Sequence, residues 1–361
     1  MTHLHMRFTP FLLLGGLLSG VAAQAAPLDA LLSADQFQHA GEFHAEAAYD
    51  VVNSTLDVAN VRGSTSYAGT NVGDYTGSHF RAGYALTDDL SFDGGLWKRN
   101  ISYHLDQEVL NSWQLAGQYQ LSGNANSDEH YALRFSGWGD SASTLSKSTP
   151  TLILGRNLTS YSVNSPQDRQ MQLDMVGTWR LSQEYSASAF AGKGISHIST
   201  GDMNGTYTSG NGCNYNLNFN QAGTTGSLAS PCGASIVVTS FATPQTVLQE
   251  VNYNANYYQF GTMFQWKNED WTTHLGYQFQ RLNRGGIDAL IISRGGTSYQ
   301  TNRILVADIS RNITRNIAVF FRGQLMTNQF VGEIPFAYNT ATATKFSQKY
   351  GFATFGTSVS F

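Results

Sequence analysis

The sequence predicts an all-β protein whose strands carry one apolar and one polar face. Composition, a period-two alternation and the spacing of the connections support this prediction. The 361 residues are 41% hydrophobic and 12% aromatic but only 13% charged, which is about half the charge of a typical soluble domain. Aromatic content this high argues against intrinsic disorder. Since the chain has a single long apolar stretch, at its N-terminus, a helical membrane protein is also excluded.

The N-terminal stretch is predicted to be a secretory signal peptide over residues 1–25. Arg7 precedes a short apolar run at 11–18, and residues 23–25 (Ala-Gln-Ala) fit the small-x-small cleavage pattern. The run is too short for a membrane-spanning helix of about 20 residues, so an uncleaved anchor is the weaker alternative. The sequence therefore predicts an exported protein.

Strict alternation of apolar and polar residues dominates the rest of the chain. In residues 170–181, Met, Leu, Gly and Trp occupy the odd positions and mostly polar residues the even ones. One face of such a strand contacts an apolar environment and the other contacts water. Twelve strands are predicted in this way, near residues 43–53, 78–87, 90–103, 111–121, 130–139, 169–181, 184–199, 250–267, 270–281, 298–310, 315–327 and 347–361.

The connections between these strands alternate between short and long, and only residues 104–110 break the alternation. The long ones are 54–77, 140–168, 200–249, 282–297 and 328–346. Short periplasmic turns alternating with long extracellular loops are typical of bacterial outer-membrane barrels. We therefore predict a transmembrane, antiparallel, up-and-down β-barrel over residues 42–361, preceded by a short periplasmic segment at 26–41.

Aromatic residues cluster where the predicted strands would cross a membrane surface. Trp266 and Trp271 flank one tight turn, as in the aromatic girdle of a membrane barrel. Phe92 and Trp97 are assigned to the same girdle. A soluble β-sandwich is the alternative, but a loop as long as 200–249 would be unusual there.

The last strand ends in an aromatic residue and carries apolar residues at alternate positions. Phe361 is the final residue, with Val359 and Phe355 behind it. This resembles the C-terminal assembly signal of Gram-negative outer-membrane proteins. The resemblance extends to the architecture but to no particular family. It implies a location in the Gram-negative outer membrane, recognition by the barrel-assembly machinery, and contact with membrane lipid and lipopolysaccharide.

The two cysteines, Cys213 and Cys232, are 19 residues apart. In an exported protein this spacing predicts a disulfide, which would contribute roughly 3 kcal/mol. No Cys-x-x-Cys motif or close His accompanies them, and the nine His residues show no metal-ligand spacing, so we predict no metal. The same loop contains an alternating segment at 215–219 and another apolar segment at 236–241. These could form an external hairpin or two further membrane strands, so 14 or 16 strands stay open.

Positions opposite in parity to the lipid-facing residues are predicted to line the lumen. Their amides, with nearly balanced charges, offer hydrogen bonds without a strong field. The sequence thus favours a channel for passive diffusion of small polar solutes, although the same side chains could bond to one another and close the barrel. The predicted lumen-lining residues are Glu46, Asp50, Arg81, Gln118, Arg134, Gln172, Asp174, Arg180, Gln259, His274, Gln278, Asp308, Arg322 and Gln324.

The apolar tip of one long loop, residues 287–292, is predicted to fold into the lumen or to contact a neighbouring molecule. Association into a homo-oligomer stays open. A net charge of −4 without a basic patch argues against a nucleic-acid partner, and no motif for a cofactor is present.

A catalytic role rests on one weak motif. His197-Ile198-Ser199 resembles the His-x-Ser motif of outer-membrane lipid hydrolases, in which His acts as general base for Ser. Those families follow the Ser with Asn, whereas Thr200 follows it here. We therefore predict that the protein is not an enzyme. A surface adhesin, a structural barrel and an export pore remain as alternative functions.

Overall fold

The computed structural model describes residues 39–52, 72–103, 106–123, 127–148, 151–153, 156–210, 212–220, 223–228, 251–328, 331–339, 343–347 and 349–361. The predicted signal peptide and most of the predicted periplasmic segment lie outside these residues. Among the described residues, no helix is long and apolar enough to cross a membrane.

Twelve antiparallel strands form a closed barrel, which confirms the predicted fold class and strand number. Around the barrel the strands follow the order β1, β2, β3, β4, β5, β9, β10, β14, β15, β16, β17 and β18, and β18 pairs with β1. They are β1 (Phe43–Val52), β2 (Val72–Ala85), β3 (Leu90–Tyr103), β4 (Asp106–Ser122), β5 (Glu129–Ala142), β9 (Gln167–Arg180), β10 (Tyr185–Ser199), β14 (Tyr253–Lys267), β15 (Trp271–Arg284), β16 (Thr301–Asn312), β17 (Ile317–Met326) and β18 (Tyr350–Ser360).

Along most of their length the barrel strands alternate between a buried and an exposed side chain. In β4, Gln114 and Gln118 are buried whereas Leu115 is 66% exposed. Polar side chains therefore point into the barrel and apolar ones point outward, the reverse of a soluble protein. Only a lipid environment favours such a surface. The chain is accordingly a transmembrane barrel of the outer-membrane type.

A second sheet is built from the loops at the extracellular end. It contains β6 (Thr144–Lys147), β7 (Thr151–Ile153), β8 (Arg156–Asn164), β11 (Met203–Thr208), β12 (Asn214–Asn220) and β13 (Gly223–Leu228). Tyr215, Leu217 and Phe219 are buried in an apolar cluster of this sheet. Residues 215–219 are thus external, and they pair with β11 and β13. The closed barrel has twelve strands rather than 14 or 16. Residues 236–241 lie outside the described residues, so their part in an external hairpin stays a prediction.

One of the two cysteines of the predicted disulfide belongs to this second sheet. Cys213 lies just before β12 and is buried. Cys232 lies outside the described residues, so the pairing of these two cysteines stays a prediction.

The aromatic girdle is present, but one residue assigned to it points the other way. Tyr185 and Trp271 are exposed beside the periplasmic turns, and Phe92 is also exposed. Trp97 instead points into the barrel and is 3% exposed. Its ring lies over Gly95, where a Cβ would collide with it. Because Phe92 and Trp97 are five positions apart, an unbroken strand must place them on opposite faces.

The first and last strands close the barrel at a seam. Backbone hydrogen bonds join Phe43 and Phe361 in both directions, at 3.0 and 2.9 Å, and their rings stack with centroids 6.5 Å apart. Phe355 and Phe361 are exposed on the lipid side. Recognition of Phe355, Val359 and Phe361 by the assembly machinery stays a prediction.

The lipid-facing surface makes a depth-dependent mutational prediction. Met175 lies midway between Met171 and Trp179 on the lipid-facing side of β9 and is 53% exposed, whereas Leu181 lies at the periplasmic turn and is 62% exposed. We expect Met175→Arg to reduce the free energy of unfolding by about 2–4 kcal/mol, because a cation at the bilayer midplane is poorly solvated. Leu181→Arg, in the interface, should cost about 0–1 kcal/mol. Urea unfolding in lipid vesicles measures both; equal losses would contradict the membrane placement.

Candidate lumen site and its plug

The long loop between β17 and β18 enters the barrel. The sequence placed residues 328–346 in an external loop, but every residue from 331 to 339 is buried. We call residues 331–339 the plug segment. It includes a short 3-10 helix, Pro335–Ala337. The loop turns inward because it contains several large apolar side chains, which the lumen buries.

Hydrogen bonds from the extracellular ends of several strands hold the plug segment. The Tyr253 hydroxyl lies 2.8 Å from the Pro335 carbonyl and 2.6 Å from the Tyr338 carbonyl. Asn302 donates to the Val331 carbonyl at 3.2 Å. These donors satisfy backbone acceptors that would otherwise be buried without partners.

Two further contacts fix the plug segment to its surroundings. The backbone N–H of Phe336 donates to the carboxylate of Asp168 on β9. The backbone N–H of Tyr299 donates to the Tyr338 hydroxyl at 2.8 Å. The plug segment is therefore bonded to β9, β14 and β16, which belong to one contiguous group of strands, and its position depends on non-covalent contacts.

Apolar side chains complete the attachment. Val331, Ile334, Phe336 and Tyr338 are at most 2% exposed and belong to one cluster with Trp138, Tyr257 and other inward-facing residues. Gly332 has a φ of +91°, and a Cβ there would collide with the Gln280 side chain. A glycine is thus needed where the plug segment passes closest to β15.

A short helix covers the extracellular mouth beside the plug segment. This helix, α1 (Ile287–Ser293), buries Ile287 and Ile291 in the same apolar cluster. Ile287 and Ile291 therefore face inward, as one of the two predicted alternatives for the 287–292 tip requires, whereas Ile292 is 60% exposed. Contact of this tip with a neighbouring molecule stays a prediction. Arg284 joins the elements: its guanidinium lies 3.1 Å from Asp288, 3.0 Å from the Tyr299 carbonyl and 3.8 Å from the centre of the Tyr338 ring.

Carboxylates lie beneath the plug segment. Asp140 bonds to the Ser112 hydroxyl and lies 3.4 Å from Arg99, and Asp168 is its direct partner in the neighbouring strand. Glu333 of the plug segment is 2% exposed and close to Arg99 and Asp140. The Arg99 guanidinium thus lies near several buried acids and offsets part of the repulsion between their like charges.

The periplasmic half of the lumen contains a continuous ion network. His79 lies 2.8 Å from both Glu46 and Asp50. Arg322 bridges Glu46 at 3.4 Å and Asp308 at 3.0 Å. These residues come from β1, β2, β16 and β17, so the network ties the closing seam to its neighbours.

Space near the periplasmic mouth is small. A second group of ion pairs joins Asp93 to Arg134 at 2.7 Å and to Arg81 at 3.7 Å. The cavity beside them, also lined by His44 and Gln118, has a volume of about 20 Å³. That is enough for roughly one water molecule.

The middle of the lumen is lined by amides. Tyr257 donates to Gln172 at 3.1 Å, and Gln278 donates to Gln259 at 3.1 Å. Both amide atoms of Gln280 and of Gln324 are buried without a hydrogen-bond partner among the described residues. Because unpartnered buried amides are costly, this wall is suited to contact with water or a polar solute.

The structure places the predicted lumen residues on the inward face. Eleven are buried, Arg81 and His274 are partly buried, and Arg180 is exposed at the periplasmic strand end. It brings together Glu46, Arg322 and Asp308, but keeps Gln118 and Arg134 in a separate group. Sequence reasoning missed His79, Arg99, Asp140, Asp168, Tyr253 and Glu333; inward parity was the available signal for all of these except Glu333, which lies in a loop.

The weak catalytic motif lies outside the lumen. His197 is exposed on the lipid-facing side of β10, and Ser199 follows on the same face. The His197 Nδ1 atom lies 2.7 Å from Oδ1 of Asn254. The ring is therefore oriented by an amide on the adjacent strand rather than by the serine. Among the described residues, no group of three or more His, Cys, Asp and Glu is arranged to hold a metal ion.

No family model and no curated protein matches the chain. Similar solved structures include the translocator domain of autotransporter NalP from Neisseria meningitidis, with 9% identity, a TM-score of 0.47, and coverage of 91% of this chain and 92% of that chain. The KdgM porin in complex with disordered oligogalacturonate has 9% identity, a TM-score of 0.38, and coverage of 88% and 99%. The toluene transporter TodX from Pseudomonas putida has 10% identity, a TM-score of 0.40, and coverage of 94% of both chains. These likenesses are too distant to indicate a function for this chain.

Proposed function

We propose that the protein is an outer-membrane channel for small polar solutes, closed in the present structure by the plug segment. One observation carries the proposal: a loop segment occupies a polar lumen and is attached to it by non-covalent contacts. Displacement of the plug segment, together with movement of the Arg81 and Arg134 side chains at the narrow periplasmic mouth, would leave a wall of amides, hydroxyls and paired charges. Such a wall exchanges hydrogen bonds with a neutral polar solute, sugars among them, without imposing a strong field.

A few side chains hold the plug segment in the lumen. Tyr253, Asn302, Asp168 and Arg284 supply the polar contacts. None of these contacts is part of the hydrogen-bond ladder that closes the barrel. The plug segment can therefore leave while the twelve strands keep their pairing, which is what a gated channel requires.

The hydroxyl of Tyr253 offers the most selective test. We expect Tyr253→Phe to raise the open fraction by about tenfold, because it removes one hydrogen bond and leaves buried carbonyls without that donor. The aromatic ring, and so its packing, is kept. Single-channel recording in planar bilayers measures the open fraction directly.

The matched control is Tyr258→Phe. Tyr258 lies on the same strand, faces lipid and is 47% exposed, so its variant should conduct like the wild type. Equal open fractions in the wild type and both variants, with folded protein, would contradict the role of Tyr253 as a latch.

A second candidate function is surface binding. The extracellular sheet presents a polar groove of about 500 Å³, lined by Ser160, Asn204, Thr206, Asn216 and Asn218 among others. This observation favours an adhesin or structural barrel, in which the membrane barrel anchors the extracellular sheet. Such a barrel would stay silent in bilayers even without its plug segment, which separates the two functions.

A further inference from the structure

We propose that the lipid-facing surface of β9, β10, β14, β15 and β16 binds the phosphates of a phosphorylated glycolipid in the outer leaflet, of the lipopolysaccharide class. Four cations lie on the extracellular half of this surface: Arg169, Lys193, Arg281 and Arg303. All four are exposed, and their strands are contiguous in the barrel. We call these four residues the basic patch. A fifth outward-facing cation, Arg311, lies at the periplasmic end of β16. This inference does not depend on whether the lumen conducts.

The strand register brings two of the cations to the same tyrosine. Tyr258 of β14 is the direct partner of Lys193 on one side and of Arg281 on the other. Side chains directly opposite one another on one face have Cβ atoms about 4.5–5.5 Å apart. The two positive groups therefore flank one aromatic ring, which provides a surface for an acyl chain or a sugar.

A cavity lies at this position on the outer surface. Its volume is about 540 Å³, and Lys193, Tyr258, Arg281, Asn256 and Asn283 contribute to its lining. This volume is within the range of small-ligand sites, about 300–1,000 Å³. The amides beside the cations can bond to sugar hydroxyls, so the chemistry matches a phosphorylated saccharide headgroup.

Among the described residues, no acidic side chain compensates the charge of this surface. Among the described residues of the five strands, no Asp or Glu occupies an outward-facing position. The ion pairs between described residues lie inside the barrel or its mouth instead. On the other seven strands, Lys98 is the single outward-facing cation among the described residues. The positive charge is thus concentrated on one side of the barrel.

The position of the basic patch selects the lipid phosphate as its partner. Lys193 lies between Ala191 and Ile195 on the outward face of β10, beside the extracellular part of the apolar band. A cation there is poorly solvated unless an anion accompanies it. Phosphate accepts bidentate hydrogen bonds from Arg, and a lipid headgroup holds phosphate at this depth, whereas phosphate in solution does not reach it.

Lipid retention by the folded protein tests the proposal. The full chain would be reconstituted in phosphatidylcholine vesicles containing bis-phosphorylated lipid A, extracted in detergent, and examined by native mass spectrometry. We expect Lys193→Gln/Arg281→Gln/Arg303→Gln to bind the phosphorylated lipid about tenfold more weakly than the wild type, because charge-assisted hydrogen bonds to phosphate are lost. Dephosphorylated lipid A should not be retained by either protein, and inorganic phosphate should not compete.

Lys98→Gln is the matched control and should retain the lipid as the wild type does. Heat-modifiable migration on gels checks that each variant is folded; should the triple variant fail this check, Arg281→Gln and Arg303→Gln are measured singly. Equal retention by the folded basic-patch variants and the wild type would overturn the proposal. Equal loss in Lys98→Gln, retention of dephosphorylated lipid, or competition by inorganic phosphate would also overturn it.

Discussion

Replacing the plug segment with a Gly-Ser linker of equal length is expected to convert a closed barrel into one with discrete conductance steps. The linker removes Val331, Ile334, Phe336 and Tyr338, whose burial in the lumen is nearly complete. Each such side chain contributes about 1.5–3 kcal/mol when fully buried. A Gly-Ser linker has no apolar side chains that could recover this burial free energy. The linker should therefore leave the lumen, and water should fill the space.

Planar-bilayer recording with a panel of neutral and charged solutes measures this result and gives the selectivity. Neutral polar solutes should pass, since the wall presents amides and balanced ion pairs rather than one sign of charge. The matched control replaces β13, an edge strand of the extracellular sheet, with a linker of equal length. It should leave the current unchanged. A folded plug-replaced barrel that stays silent would reject the channel.

Arg322→Met is expected to cost about 3–5 kcal/mol of unfolding free energy. The guanidinium contacts both Glu46 and Asp308, and all three side chains are at most 8% exposed. Without it, two buried carboxylates lose their common cation. Urea unfolding in lipid vesicles measures the effect.

Two comparison variants show whether the stability lost in Arg322→Met comes from the ion network. Arg311→Met removes an exposed arginine that lies 5.3 Å from the Trp271 ring at the periplasmic end of the barrel, and it should cost about 0.5–1 kcal/mol. Adding Glu46→Gln and Asp308→Asn to Arg322→Met should restore part of the lost stability, because the unpaired charges are then gone. Similar losses for Arg322→Met and Arg311→Met would show that the network contributes little.

The barrel could be predicted from the sequence because the two faces of every strand contact different environments, and the residue types alternate accordingly. Lipid outside and a packed polar lumen inside enforce a period of two, and Leu173 beside Gln172 shows both sides of it. The strand ends were less well placed: β4 begins at Asp106 rather than near 111. Where a strand extends beyond the membrane, buried and exposed positions still alternate. The residues of this part are mostly polar, however, so their composition resembles that of a loop.

Pairing in the lumen could not be predicted in the same way. Parity directs Glu46 and Asp50 inward, but only the register of β1 against β2 places His79 between them. The orientation predicted for Trp97 was wrong. Placing Trp97 on the lipid-facing side of β3 also places Arg99, two positions later, on that side, so Arg99 was not predicted to line the lumen. Parity could not predict the burial of the plug segment, because a loop has no fixed period and its burial depends on the cavity that it enters.

The seam between β1 and β18 has a consequence for how the molecule folds. Phe43 and Phe361 are neighbours in space but come from opposite ends of the described chain. The loop-closure entropy of such a contact is large, and it is not offset until the intervening strands are paired. Completion of the ring is therefore a late, all-or-none event that waits for the last strand. Until that strand arrives, two unpaired strand edges are exposed, and pairing with another copy is the competing reaction.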